Sequence, residues 1–184
     1  MTSVRSNADL TPQPGGYAIR SRMPADDPLL VAIENRASEL FRAYGYGSVA
    51  DASIPDVEAL RATIAGQDVK VAVDDSSRPV GYAVFGAVGE FLHLGELSVD
   101  PQHGRRGLGS ALVAEVIDAA RRGNYDGVSL TTFRELPFNA PFYRRLGFRE
   151  TALADAPETL RSRFIAEVPA GIDPARRVLM IASA

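Results

Sequence analysis

One run of this sequence restricts its fold more than any other: HLGELSVDPQHGRRGLGSALVAEVIDAARR, His93 to Arg122. It opens inside FLHLGELSV, a strand apolar on both faces, as a central strand covered on two sides must be. Gly95 in its middle predicts a bulge or a close backbone approach. The chain then crosses a loop dense in glycine and arginine and enters a helix. There Leu108, Leu112, Val113, Val116, Ile117 and Ala120 form one apolar stripe. Arg121 and Arg122 ahead of Gly123 carry the usual chemistry of a helix C-terminus.

The remaining segments supply layers around this unit. YAIRSRMP from Tyr17 reads as a strand, and ADDPLLVAIENRASELFRAYG as a helix with Asp at its cap and Pro in its first turn. YGYGSVADASIP has two glycines and no periodicity, the pattern of a mobile loop. A second helix fits PDVEALRATIAG, and DVKVAVDD with PVGYAVFGAVGE reads as a hairpin around SSRP. GVSLTTF is a strand, NAPFYRRLG a short helix, ETLRSRFIAEV a helix and RRVLMIA a closing strand. The order predicts a mixed α/β fold, with a central, mostly antiparallel sheet of about six to seven strands flanked by helices. Residues 1–16, polar and rich in Pro and Gly, read as a flexible arm, and 17–184 as one domain.

Composition narrows the chemistry. A formal net charge of -3 leaves no positive excess for a phosphate backbone, which argues against nucleic acid as the main ligand. No cysteine is present, which removes disulfides, thiolate metal sites and a cysteine nucleophile. With His93 and His103 the two histidines, no transition-metal centre is expected. No segment has the length of a membrane span or the apolar core of a secretory signal, so the expectation is a cytoplasmic protein without a membrane partner.

The glycine-arginine loop is suited to an anion. A helix starting at Gly107 leaves its first N–H groups unpaired, and these together with the helix dipole attract negative charge. Gly104, Gly107 and Gly109 remove side chains that would block a phosphate, while Arg105 and Arg106 can add charged hydrogen bonds from the rim. Two known phosphate loops fail here. The dinucleotide fingerprint would need a glycine where Leu112 stands, and the mononucleotide P-loop would need a lysine. The order present is G-x-x-G-x-G behind a strand ending LSVDP.

LSVDPQHGRRGLGSAL resembles the cofactor motif of the GNAT superfamily of acyl-CoA-dependent N-acetyltransferases, Gln/Arg-x-x-Gly-x-Gly/Ala after a strand ending Val-x-Pro. The resemblance implies a GNAT-like fold, acetyl-CoA as cosubstrate, and backbone amides from Arg105 through Gly107 and Leu108 to Ser110 cradling its pyrophosphate. The first motif position is Gly104, where the family usually carries Gln or Arg. NAPFYRRLGF resembles the family's other signature, and its PFY...GF form is similar to arylalkylamine N-acetyltransferases. That likeness puts Tyr143 beside the CoA sulfur and makes Asn139 a cofactor contact. It also implies that backbone amides of Leu97, Ser98 and Val99 bind the acetyl-CoA end. Element order matches from Tyr17 to Ala182, and sharp motif similarity runs from His93 to Phe148.

Acetyl transfer to an amine needs a base, because an alkylamine with a pKa of about 10 is almost wholly protonated near neutral pH. His93 is the first candidate, matching a histidine of the arylalkylamine enzymes; otherwise it is a packed strand histidine with both nitrogens satisfied. Glu96 is the second candidate, or one end of a water relay; otherwise it pairs with an arginine. Tyr143 would protonate the departing thiolate, or else fills the seam between helix and sheet. Asn139 has a competing role as an N-cap. The arginine pairs beginning at 121, 144 and 176 read as solvated ends of elements. Phe41, Tyr44 and Tyr46, with Asp51 and Asp56 nearby, suit an acceptor pocket for an amine. The expected activity is direct acetyl transfer to a primary amine, a small molecule before a protein lysine or N-terminus. A non-catalytic acyl-CoA sensor is the reading outside enzymes, and a homodimer stays open.

Overall fold

The computed structural model describes residues 10–184. One eight-stranded sheet runs in the order β1 (Thr11–Gln13), β2 (Tyr17–Ser21), β3 (Asp68–Val73), β4 (Pro79–Val88), β5 (Phe91–Val99), β6 (Gly127–Phe133), β8 (Arg177–Ser183) and β7 (Arg149–Thr151). β5 and β6 pair in parallel; the other neighbours are antiparallel. The sheet has eight strands against the expected six to seven, and β1 and β7 are the two that no segment of the sequence reads as. Each spans three residues, too short to display an alternating pattern, and each is held by backbone pairing with its neighbour. β1 also lies within the segment read as a loose arm; residues 1–9 of that arm fall outside the described residues.

One face is covered by α4 (Leu108–Arg122) and α5 (Ala140–Arg145). Leu108, Leu112, Val113 and Val116 of the predicted stripe pack there with Leu92, Leu94, Val128 and Leu130. The opposite face carries α1 (Asp27–Arg42) and α3 (Val57–Ile64), where Leu30, Ile33, Leu60 and Ile64 meet Val71, Val73, Tyr82 and Val84. Leu112 and Leu60 are fully buried, so truncating either to alanine removes about 2–5 kcal/mol. The segment read as a mobile loop contains α2 (Gly47–Asp51), seated by the buried Tyr46 and Ala50. Five residues are too few to set up a helical period. α6 (Glu158–Ala166) closes the end of the sheet near β8 through Leu160 and Phe164. No described helix is long and apolar enough to cross a membrane.

Two irregularities shape the centre. Glu96 pairs with Val84 and Leu94 with Phe85, which leaves Gly95 as an extra residue on β5 and makes the predicted bulge. The parallel register of β5 with β6 ends at Leu94 and Leu130, although both strands continue. Beyond that point the strands part and leave a wedge between Glu96–Val99 and 131–133.

Candidate active site

A groove of about 1120 Å³ occupies the wedge. At one end lies the glycine-arginine loop. Gly107 is the N-cap of α4 at φ 81°, a left-handed conformation that favours glycine, and Arg105 adopts φ 58° two residues earlier. The first bond of the helix runs from the Ala111 N–H to the Gly107 carbonyl, so the amides of Leu108, Gly109 and Ser110 precede every intrahelical acceptor. These three residues line the groove with Gly104, Arg105 and Gly107. Arg106 does not: its Nη1 donates to the Tyr17 hydroxyl at 2.7 Å, and of its two polar parts the backbone amide alone belongs to the loop. His103 sits at the edge of the groove with Nδ1 3.0 Å from the same hydroxyl. Gly109 has a second reason to be glycine, because a Cβ there would come 3.3 Å from Cζ of Phe142.

In the middle, Leu97, Ser98 and Val99 form one wall. The Asp100 N–H donates to the Val80 carbonyl of β4. Successive strand amides point to opposite edges, so those of Ser98 and Glu96 also face β4. The amides of Leu97 and Val99 face the side from which β6 has departed.

Glu96 lines the groove. Burial pushes its carboxyl up to about 7, against hydrogen bonds from Ser98 and the Leu97 amide, with Glu34 and Glu167 adding repulsion. The Ser98 hydroxyl donates to Oε1 at 2.8 Å. A carboxylate poised near neutral pH is what proton removal requires. Tyr143, 8% exposed, lines the same stretch. Burial first, and then the Glu96 charge, push its phenol well above the usual range, while Arg177 opposes them. The phenol therefore keeps its proton at neutral pH.

His93 is not among the groove-lining residues. It is 1% exposed, with Nδ1 3.0 Å from Ser129 Oγ and Nε2 3.1 Å from both carboxylate oxygens of Glu167. Both ring nitrogens are occupied. Asn139 stands at the N-cap of α5 but makes no side-chain cap bond. Its Nδ2 donates to Thr132 Oγ1 at 2.7 Å, and its Oδ1 is buried in the groove wall without a partner among the described residues.

The far end of the groove gathers residues that sequence reasoning only partly found. Phe41 and Tyr44 are there, joined by Phe133 and Phe138, with Phe41 and Phe138 edge to face at 5.2 Å. Tyr46, Asp51 and Asp56 are used elsewhere: Tyr46 accepts from Arg176, Asp51 pairs with Arg42, and Asp56 caps α3. The acids that reach the chamber are Glu34 and Glu167. Burial pushes Glu34 up. Hydrogen bonds from His93 and Thr131, with Arg163 alongside, hold the Glu167 carboxyl below its ordinary range despite its burial. Arg177 also lines the groove, so of the pair beginning at Arg176 the second member is not a solvated strand end, while Arg176 itself is exposed. Among the described residues no cluster of three or more His, Cys, Asp or Glu is arranged to hold a metal.

Residues 65–150 match the family model of the acetyltransferase (GNAT) domain. Over that segment the chain is similar to a GNAT acetyltransferase domain. It is an enzyme of the acyl-CoA-dependent N-acetyltransferase class. Solved structures share the fold at low identity. A GNAT-family acetyltransferase from Staphylococcus aureus Mu50 aligns with TM-score 0.67 and 17% identity, covering 91% of this chain and 98% of that one. The ribosomal-protein-S18-alanine N-acetyltransferase from Escherichia coli aligns at 0.65 and 18%, over 91% and 93%. The PaiA N-acetyltransferase from Thermoplasma acidophilum, solved with coenzyme A, aligns at 0.61 and 14%, over 91% and 99%. The GNAT match contains the bulge, the loop and Tyr143; the chamber residues Glu34, Phe41, Glu167 and Arg177 lie outside it.

Proposed function

We propose that this GNAT protein transfers an acetyl group from acetyl-CoA to the primary amine of a small molecule, directly, with both substrates bound together. The observation that carries the reading is the continuity of one groove, from the amide-lined loop at the head of α4, past Glu96 and Tyr143, to the acidic and aromatic chamber beside α1.

The residues fit the cosubstrate. The free amides of Leu108, Gly109 and Ser110 suit its phosphates, and the edge amide of Val99, facing the wedge, suits its carbonyl end, with that of Leu97 beside it shared with the Glu96 carboxyl. The unpartnered Asn139 Oδ1 supplies an acceptor for a donor on the pantetheine arm. Bound acetyl-CoA supplies the activated acyl carbon. Glu96 takes the proton of the incoming ammonium, and Tyr143 holds a proton for the departing sulfur. With no cysteine in the chain, an acetyl-cysteine enzyme is excluded and direct transfer remains.

Thiol release from acetyl-CoA against amino acids, arylalkylamines, polyamines, aminoglycosides and lysine peptides tests the reading. Turnover with one small-molecule class is the expected result. Turnover with peptides alone would replace it by protein acetylation, and binding of acetyl-CoA with no release on any amine would leave an acyl-CoA sensor.

A further inference from the structure

We infer that the amine acceptor also carries a carboxylate, and that Arg177 binds it. The inference rests on the acetyltransferase reading above and names the acceptor class: an amino acid with an apolar body.

Arg177 opens β8 opposite Phe133 of β6, and its guanidinium carbon lies 4.8 Å from the centroid of that ring. Its two hydrogen bonds both leave Nη2 and both reach neutral oxygens, Thr131 Oγ1 at 2.8 Å and the Glu167 carbonyl at 3.3 Å. Nε is buried with no hydrogen-bond partner among the described residues. Among the described residues no carboxylate lies within ion-pair distance of it. The nearby Glu167 carboxylate is already engaged by His93, Thr131 and Arg163. Burial accordingly pulls the Arg177 pKa down. A partly buried guanidinium without an anion is costly, and with Nη2 held by Thr131 and the Glu167 carbonyl, Nη1 is the group left to donate to a carboxylate.

Its position assigns that anion to the acceptor and not to coenzyme A. Thr132 reaches Asn139 under α5, on the face that carries α4 and the loop. Side chains alternate along a strand, so Thr131 and Phe133 point to the other face, where Arg177 lies against both. Glu96 is on that second face too, because its β4 partner Val84 packs with the α1 layer. So is Glu34, whose carboxylate takes a bond from the Ile54 amide and has no cationic partner among the described residues. The chamber therefore offers carboxylates for an ammonium and one uncommitted cation for an anion. Phe41, Phe133 and Phe138 between them suit an apolar side chain.

The test pairs each amino acid with its decarboxylated counterpart, phenylalanine with phenethylamine and leucine with isoamylamine, and reads the ratio of kcat/KM. The wild-type enzyme should favour the carboxylate-bearing member by about a hundredfold or more, as a site with a buried polar group does. Arg177→Gln should bring the ratio to within about threefold of unity, and Arg177→Lys, which keeps the charge and loses the planar guanidinium that Thr131 and the Glu167 carbonyl orient, should fall between them. A wild-type ratio near one, or a ratio unchanged in both variants, overturns the inference. If no acceptor turns over, calorimetry with phenylalanine in the presence of CoA separates the two readings. Binding that is weakened by Arg177→Gln would keep the carboxylate site and end the transferase reading, and no binding would end the carboxylate site.

Discussion

His93 and Glu167, 74 residues apart, meet with the imidazole Nε2 3.1 Å from each carboxylate oxygen. The contact ties the middle of β5 to the residue that caps α6, and Thr131 closes the triangle by donating to the same carboxylate at 2.6 Å. We propose that the pair supports the chamber wall. His93→Ala should cost about 1–3 kcal/mol of stability, because Ser129 and Glu167 lose a partner in a buried site. Its turnover should stay within about tenfold of wild type, since general catalysts are worth more than that. Chemical denaturation and kcat measured on the same preparation check both. A loss of kcat as large as that of a Glu96 variant would return His93 to the role of base.

Glu96 should set the acid limb of the pH profile. A base must be deprotonated to act, so kcat/KM is expected to fall as pH drops through about 7. Glu96→Gln should lose that limb and about 10²–10⁴ of the rate. A pH series on both proteins decides it.

The same carboxyl makes a prediction about stability, with the opposite sign. Its folded pKa is raised from the ordinary glutamate value of 4.5 to about 7, so its favourable contribution is complete below 4.5 and is lost as pH rises through 7. At pH 8 the wild-type protein carries a buried charge that Glu96→Gln lacks. The variant should melt higher than wild type at pH 8, and the gap should close or reverse at pH 5. Thermal unfolding at the two pH values is the measurement.

Tyr143→Phe removes the proton donor and leaves the ring contacts with Phe142 and Phe148 in place. Turnover should drop by about a hundredfold with CoA affinity little changed. Equal activity would take tyrosine out of the acid role.

Gly109 tests packing against phosphate approach. Gly109→Ala drives a methyl to 3.3 Å from Phe142 Cζ and should weaken folding. Phe142→Leu in the same chain should recover part of the loss if packing is the cause. A double-mutant cycle on stability and on CoA binding separates the two, with the coupling expected in stability.

Much of this architecture could be read from hydrophobic periods. β5, α4 and β6 follow patterns long enough to repeat, and the bulge was legible from one glycine inside an apolar strand. β1, β7 and α2 were not, because three to five residues cannot complete a period. At the candidate site the split is physical too. Gly107, Glu96 and Tyr143 sit within local motifs, whereas Glu34, Glu167 and Arg177 come from three distant segments and meet only when the sheet forms. An arginine beginning a strand looks solvated in a sequence. Its burial depends on Phe133 and Thr131, which nothing local announces.

The extra residue at Gly95 gives β5 two reading frames. Upstream, His93 shares a face with Phe91, and Leu92 and Leu94 share the other; downstream, Glu96 and Ser98 take over the face of His93 while Leu97 and Val99 continue that of the leucines. Were Gly95 to pair as an ordinary strand residue, the strand would be read as a gene is read after a frameshift. Every side chain after it would be delivered to the wrong layer, the Glu96 carboxylate into the apolar face under α4 and Leu97 toward α1, although not one letter of the sequence had changed.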